Sequence, residues 1–91
     1  MLRTIIIDDD DIITFLQKKI VSKSGLDTEP LVFKDAYKAL EFLENEASQE
    51  EEYLIMLDIN MPGMSGWEFL DHIKKLPLDE RLHVVMATSS I

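Results

Sequence analysis

Three apolar runs in this sequence end on residues able to do chemistry. Leu2 to Ile7 runs into Asp8-Asp9, Leu54 to Leu57 into Asp58, and Leu82 to Ala87 into Thr88-Ser89-Ser90. Pro62, Gly63 and Gly66 then turn the chain after Asp58 instead of letting a strand continue. If the first and third runs are neighbours in a parallel sheet, Asp8, Asp9 and Asp58 meet at its carboxyl edge, where open α/β sheets bind ligands. Like charges that close cannot all stay ionised cheaply unless a cation is bound. Few hard oxygen ligands, with room for water and a phosphoryl group, suit Mg²⁺ at roughly 2.1 Å, with Mn²⁺ able to substitute. Asp58 held beside the cation has a second role open to it. Its free oxygen can attack phosphorus in line while the metal and nearby N–H and O–H groups neutralise the equatorial oxygens, and Thr88 is placed to donate one such bond.

The rest of the chain supplies elements to position these residues. Leu2 to Ile7 reads as a buried first strand, and Ile12, Ile13, Leu16 and Ile20 form one stripe at 3–4 spacing on a helix of about residues 11–24. Asp10 and Asp11 suit its N-cap and first turn, and Gly25 its end. Leu31 to Phe33 is a short second strand. Asp35 is an N-cap, and Ala36, Ala39, Leu40 and Leu43 are the buried stripe of a second helix. The six glutamates between Glu41 and Glu52 read as a solvated helix end and loop. A third strand at about 53–57, apolar throughout 54–57, suits burial on both faces. Ser65-Gly-Trp-Glu68 is a capping box opening a third helix with Trp67, Leu70 and Ile73 inward, and Leu82 to Ala87 is a fourth strand. Strands alternating with helices predict an α/β parallel sheet with right-handed crossovers; if it is doubly wound in strand order 2-1-3-4, the first and third strands are neighbours. Trp67 is expected to pack, and His72 and His83 to be surface or partly buried polar residues.

Composition narrows the function. Ninety-one residues, 46% of them apolar, make one domain over residues 1–91. Eighteen acids against nine bases give a net charge of −9, which repels nucleic acid and anionic lipid, so no direct nucleic-acid contact is expected. Without cysteine there is no disulfide, thiol nucleophile or Cys-ligated zinc. No apolar run is long enough for a membrane span, and no signal-peptide pattern opens the chain, which makes a cytoplasmic protein the default.

Taken in order, the first strand with Asp8-Asp9, the segment Asp58-Ile-Asn-Met-Pro-Gly-Met-Ser-Gly and the final Val-Val-Met-Ala-Thr88-Ser89 resemble the receiver domains of two-component response regulators, across the whole chain. The resemblance implies a flavodoxin-like, CheY-like fold and a phosphorelay role. Asp58 would accept a phosphoryl group from the phosphohistidine of a histidine kinase or phosphotransfer protein, and Asp8 and Asp9 would be the Mg²⁺ acid pair. The Asn60 backbone carbonyl would be a further metal ligand. Its side chain, with Met61, Thr88 and Ser89, would line the phosphoryl pocket, Thr88 being the switch hydroxyl. Such a protein assists its own phosphorylation and dephosphorylation and is otherwise not an enzyme. The family pattern also includes a fifth strand ending in a phosphate-pairing lysine and a last helix, which these 91 residues lack. The expectation is therefore a receiver covered only through strand 4, whose unpaired fourth strand offers an edge for dimerisation.

Other readings stay open at this point. Asp9-Asp10 is an alternative acid pair one residue along, Asp58 alone could cap a turn, and Thr88 to Ser90 could cap a following helix. Asp8-x-Asp10-x-Ile12 also suits a haloacid dehalogenase-type phosphatase with Asp8 as nucleophile and Asp10 as general acid. A non-phosphorylated interaction module that kept only the fold is the third reading.

Overall fold

Strand β1 (Leu2–Ile7) holds a run of β-branched residues, Thr4 to Ile7, all fully buried at the centre of the sheet. Helix α1 (Asp11–Ser24), β2 (Leu31–Phe33), α2 (Ala36–Asn45), β3 (Glu52–Asp58), α3 (Gly66–Ile73), a 3-10 turn at Asp79–Arg81 and β4 (Leu82–Ala87) follow. The structure is a computed structural model, and it describes residues 2–47, 50–58, 61 and 63–87. All strand pairings are parallel, as the alternation of strands and helices predicts, and the order is β2-β1-β3-β4, the one the receiver resemblance implies. Strand β3 is one residue longer at each end than the expected 53–57, so Asp58 is itself its last residue.

Local sequence sets the helix ends. The Asp10 carboxylate accepts from the N–H groups of Ile12 and Ile13, Asp35 accepts from Tyr37 N–H at 2.7 Å, and Gly25 closes α1 at φ 81°. Ser65 and Glu68 form the reciprocal capping box of α3. Each of these ends is the one its sequence signal predicts.

Side-chain alternation divides the sheet into two unequal faces. Ile5, Ile7, Tyr53, Ile55 and Leu57 point toward α2 and α3 and pack with Ala39, Leu43, Phe69 and Ile73 in the main core. Among the described residues the other face carries α1, which lies against β1 and buries Thr14 and Val21. The expected apolar stripe is therefore not the sheet contact, since Ile12, Leu16 and Ile20 are 72%, 52% and 66% exposed. On that face, among the described residues, Leu54 and Met56 are half-buried and Val85 is exposed. Trp67 departs from expectation too. It is exposed, and Phe69 takes the inward position with Ile73.

The amino edge of β1 is tied down by one carboxylate. Asp27 accepts from Thr4 N–H at 2.8 Å, Glu29 N–H at 3.0 Å and the Arg3 guanidinium at 3.1 Å. Burial pushes the Asp27 carboxyl up, but these donors outweigh it and hold it below its ordinary value of 3.8. Its stabilising contribution is present above that value and is lost as pH falls through the lower folded value. Asp27→Ala is expected to cost about 2–3 kcal/mol at pH 7, because it leaves the Thr4 N–H buried without its acceptor. Urea unfolding of the two proteins at pH 7 checks this.

Candidate metal and phosphoryl site

Sheet register brings the acidic strand ends to one level. Ile7 lies opposite Leu57, so the residues that follow them, Asp8 and Asp58, sit side by side where β1 and β3 end. Asp8 is fixed from both sides: its N–H donates to the Phe33 carbonyl at 3.1 Å, and its carboxylate accepts from Asp10 N–H at 2.9 Å. Asp8 and Asp58 are buried, at 3% and 2% exposure, while Asp9 reaches the surface. One carboxylate oxygen from each of the three lies within 4.8 Å of the other two.

Such a donor set fits a hard divalent cation. Octahedral Mg²⁺ with oxygens at about 2.1 Å needs neighbouring ligands roughly 3 Å apart and opposite ones roughly 4 Å apart, so small side-chain rotations suffice. Asp8, Asp9 and Asp58 would hold the ion, and the exposure of Asp9 leaves coordination positions open to water or a phosphoryl oxygen.

Electrostatics favour a cation there as well. Burial pushes the Asp8 carboxyl above 3.8; the Asp10 N–H opposes this, and the charges of Asp58, Asp9 and Asp10 add to it. A raised carboxyl favours the folded state at low pH, fully below 3.8, and that contribution is lost as pH rises through the folded value. Asp8→Asn is accordingly expected to raise the thermal midpoint at pH 7, without divalent cations, by several degrees, equivalent to about 1 kcal/mol. The gain should shrink as the pH is lowered toward 4. Calorimetry across that range checks both the sign and the trend.

The segment after Asp58 is anchored from below. The side chains of Met61 and Met64 are buried in the main core, at 7% and 3% exposure. Gly63 has φ +82°, and a Cβ there would meet the Tyr37 ring at 3.4 Å, which ties the turn to the start of α2. The sequence reading did not single out Met64; its signal is an apolar residue inside a Gly-rich turn. Asn60, Thr88 and Ser89 lie outside the described residues. Strand β4 runs to Ala87, which pairs with Asp58.

Two readings of the acidic run separate here. Asp10 caps α1, accepting at 2.8 Å and 3.2 Å from Ile12 and Ile13, and the group of carboxylates that could hold a cation is Asp8, Asp9 and Asp58. Asp11 makes a surface ion pair with Lys34. Asp10 and Asp11 thus serve the start of α1, as a cap and a first-turn acid. His72 and His83 are both exposed, and His83 pairs with Glu52 at 3.2 Å.

The chain is 30% identical over 89 residues to the response regulator Rcp1 of Synechocystis sp. (strain ATCC 27184 / PCC 6803 / Kazusa), an alignment that covers 94% of this chain and 60% of Rcp1. The crystal structure of a response regulator receiver protein from Dyadobacter fermentans DSM 18053 superposes with a TM-score of 0.86 at 31% identity, covering all of this chain and 71% of that one. A two-component response regulator from Cytophaga hutchinsonii superposes with a TM-score of 0.84 at 31% identity, with the same coverage. The family model of the response regulator receiver domain matches residues 4–91. With its 2-1-3-4 parallel sheet and that match over nearly its whole length, the chain belongs to the response regulator receiver domain family.

Proposed function

We propose that Asp58 is the phosphoacceptor of a two-component phosphorelay and that Mg²⁺ held by Asp8, Asp9 and Asp58 assists the transfer. The convergence of three carboxylates, two of them buried, at the carboxyl edge of the sheet carries this reading. The donor is the phosphohistidine of a histidine kinase or phosphotransfer protein. An Asp58 oxygen attacks phosphorus in line, the P–N bond breaks, and the imidazole nitrogen leaves with the bond's electrons and takes up a proton. The cation, when bound, supplies charge neutralisation at the phosphoryl oxygens. In the same reading the Asn60 carbonyl completes the metal set, the Asn60 side chain governs access of hydrolytic water, and Thr88 donates to the phosphoryl group with Ser89 leaving space beside it. Water attack on the acyl phosphate later returns the carboxylate and inorganic phosphate.

Phosphorylation then acts as a switch. It adds charge and acceptor oxygens beside the cation, biases the Thr88 segment toward them and shifts the population that a downstream protein partner binds. No described helix is long and apolar enough to cross a membrane, and the net charge of −9 favours protein partners over nucleic acid. Cytoplasmic action belongs to the proposal. Its test is incubation with a small acyl-phosphate donor, with and without Mg²⁺. A base-labile phosphoryl adduct that requires the cation is expected; no adduct, or one indifferent to Mg²⁺, would contradict the reading.

A further inference from the structure

The corner between β2 and α2 touches both segments that carry the candidate acids. Its first half faces the end of β1: the Phe33 carbonyl accepts from Asp8 N–H at 3.1 Å, and Lys34 pairs with Asp11 at the start of α1. Its second half reaches the turn that follows Asp58. Asp35 accepts from Tyr37 N–H at 2.7 Å, which fixes Tyr37 in the first turn of α2, and a Cβ on Gly63 would meet the Tyr37 ring at 3.4 Å. Gly63 has φ +82°, a conformation that favours glycine, so the turn passes the ring with no side chain of its own.

Tyr37 is not spent on the core. Among the described residues it belongs neither to the main core cluster nor to the hydrophobic side chains packed against it, although Ala36, Ala39 and Leu40 of the same helix do. Its ring instead flanks the Gly63 turn, whose other anchors are the buried side chains of Met61 and Met64. We infer that Tyr37 is a positioning residue for phosphoryl transfer, its ring setting the course of the turn after Asp58. The inference rests on Asp58 being the phosphoacceptor. A phosphoryl group arriving there spreads charge over three equatorial oxygens, and donors already in place stabilise that charge without reorganising. Backbone N–H groups of the turn are the nearest such donors along the chain, so its course bears on the rate. The cation's carboxylates do not depend on it: Asp58 ends β3 opposite Ala87, Asp8 is bonded to Phe33, and Asp9 follows directly. Losing the ring should therefore slow transfer and spare Mg²⁺ binding.

The test is uptake from a small acyl-phosphate donor by the full chain at saturating Mg²⁺, followed by intact-mass spectrometry, with Mg²⁺ affinity measured by isothermal titration. A displacement on the order of 1 Å can cost about 100-fold in rate; because the methionine anchors remain, Tyr37→Ala is expected to slow uptake about tenfold and to leave Mg²⁺ affinity within about twofold. Tyr37→Phe keeps the ring carbons that face Gly63 and should react at the unmodified rate. Alanine is a strong helix former, so Tyr37→Ala keeps α2, which circular dichroism checks. Uptake by Tyr37→Ala within about twofold of the unmodified chain overturns the inference. So does a parallel fall in its Mg²⁺ affinity, or a Tyr37→Phe variant as slow as Tyr37→Ala. Those results leave Asp58 as the acceptor, whereas no uptake by the unmodified chain overturns that assignment and this inference together.

Discussion

Asp58→Asn is expected to abolish phosphoryl uptake, lowering adduct formation more than about 1000-fold, while leaving the protein folded and more stable. The first effect follows from chemistry: an amide oxygen is a poor nucleophile and cannot form an acyl phosphate. The second follows from the site. Asp58 is almost wholly buried beside Asp8, and its charge is among the causes that raise the Asp8 carboxyl. Removing that charge relieves a like-charge repulsion in a region poor in solvent. Intact-mass spectrometry after treatment with an acyl-phosphate donor reads the first effect and urea unfolding the second. Uptake without a gain in stability, or a gain without loss of uptake, would break the link between burial and reactivity.

Asp9→Asn is expected to weaken Mg²⁺ binding about 100-fold with little change in folding stability in the absence of metal. The contrast with Asp8 is one of position. Asp8 is held by the Asp10 N–H and pairs through its own N–H with Phe33, so it shapes the end of β1 as well as facing the cluster. Asp9 is exposed, with an oxygen directed toward Asp8 and Asp58. Its loss should therefore remove a ligand without opening a hole. Isothermal titration with Mg²⁺ measures the affinity, and calorimetric unfolding in a chelator measures the stability; equal affinity in both proteins would place the cation elsewhere.

Much of this architecture is legible along the chain because its signals are local. Strand runs, N-caps at Asp10, Asp35 and Ser65, and the Gly25 stop each depend on a few neighbouring residues, and each is found where its signal lies. Strand order was legible only through the resemblance to receivers; the crossover rule gave parallel pairing alone. Burial was not. Periodicity shows that α1 has an apolar ridge but not which element covers it, and here the sheet contact falls on Thr14 and Val21 instead. Trp67 failed for a related reason: at the second position of α3 it points away from the core that Phe69 and Ile73 fill. Likewise, Leu54 and Met56 read as doubly buried because their run is unbroken, but among the described residues both are half-buried. Within the site, strand endings identified Asp8, Asp9 and Asp58. The support beneath them, from Met61, Met64 and the Gly63–Tyr37 contact, depends on how the loop folds back and has only a faint sequence trace.

The most direct test of the central assignment is to locate the phosphoryl group in the unmodified protein. After treatment with an acyl-phosphate donor and Mg²⁺, borohydride reduction cleaves the acyl phosphate and marks the modified carboxylate for peptide mass spectrometry. Reduction confined to position 58 is the predicted result; reduction at position 8, or a base-stable adduct on another residue type, would contradict it.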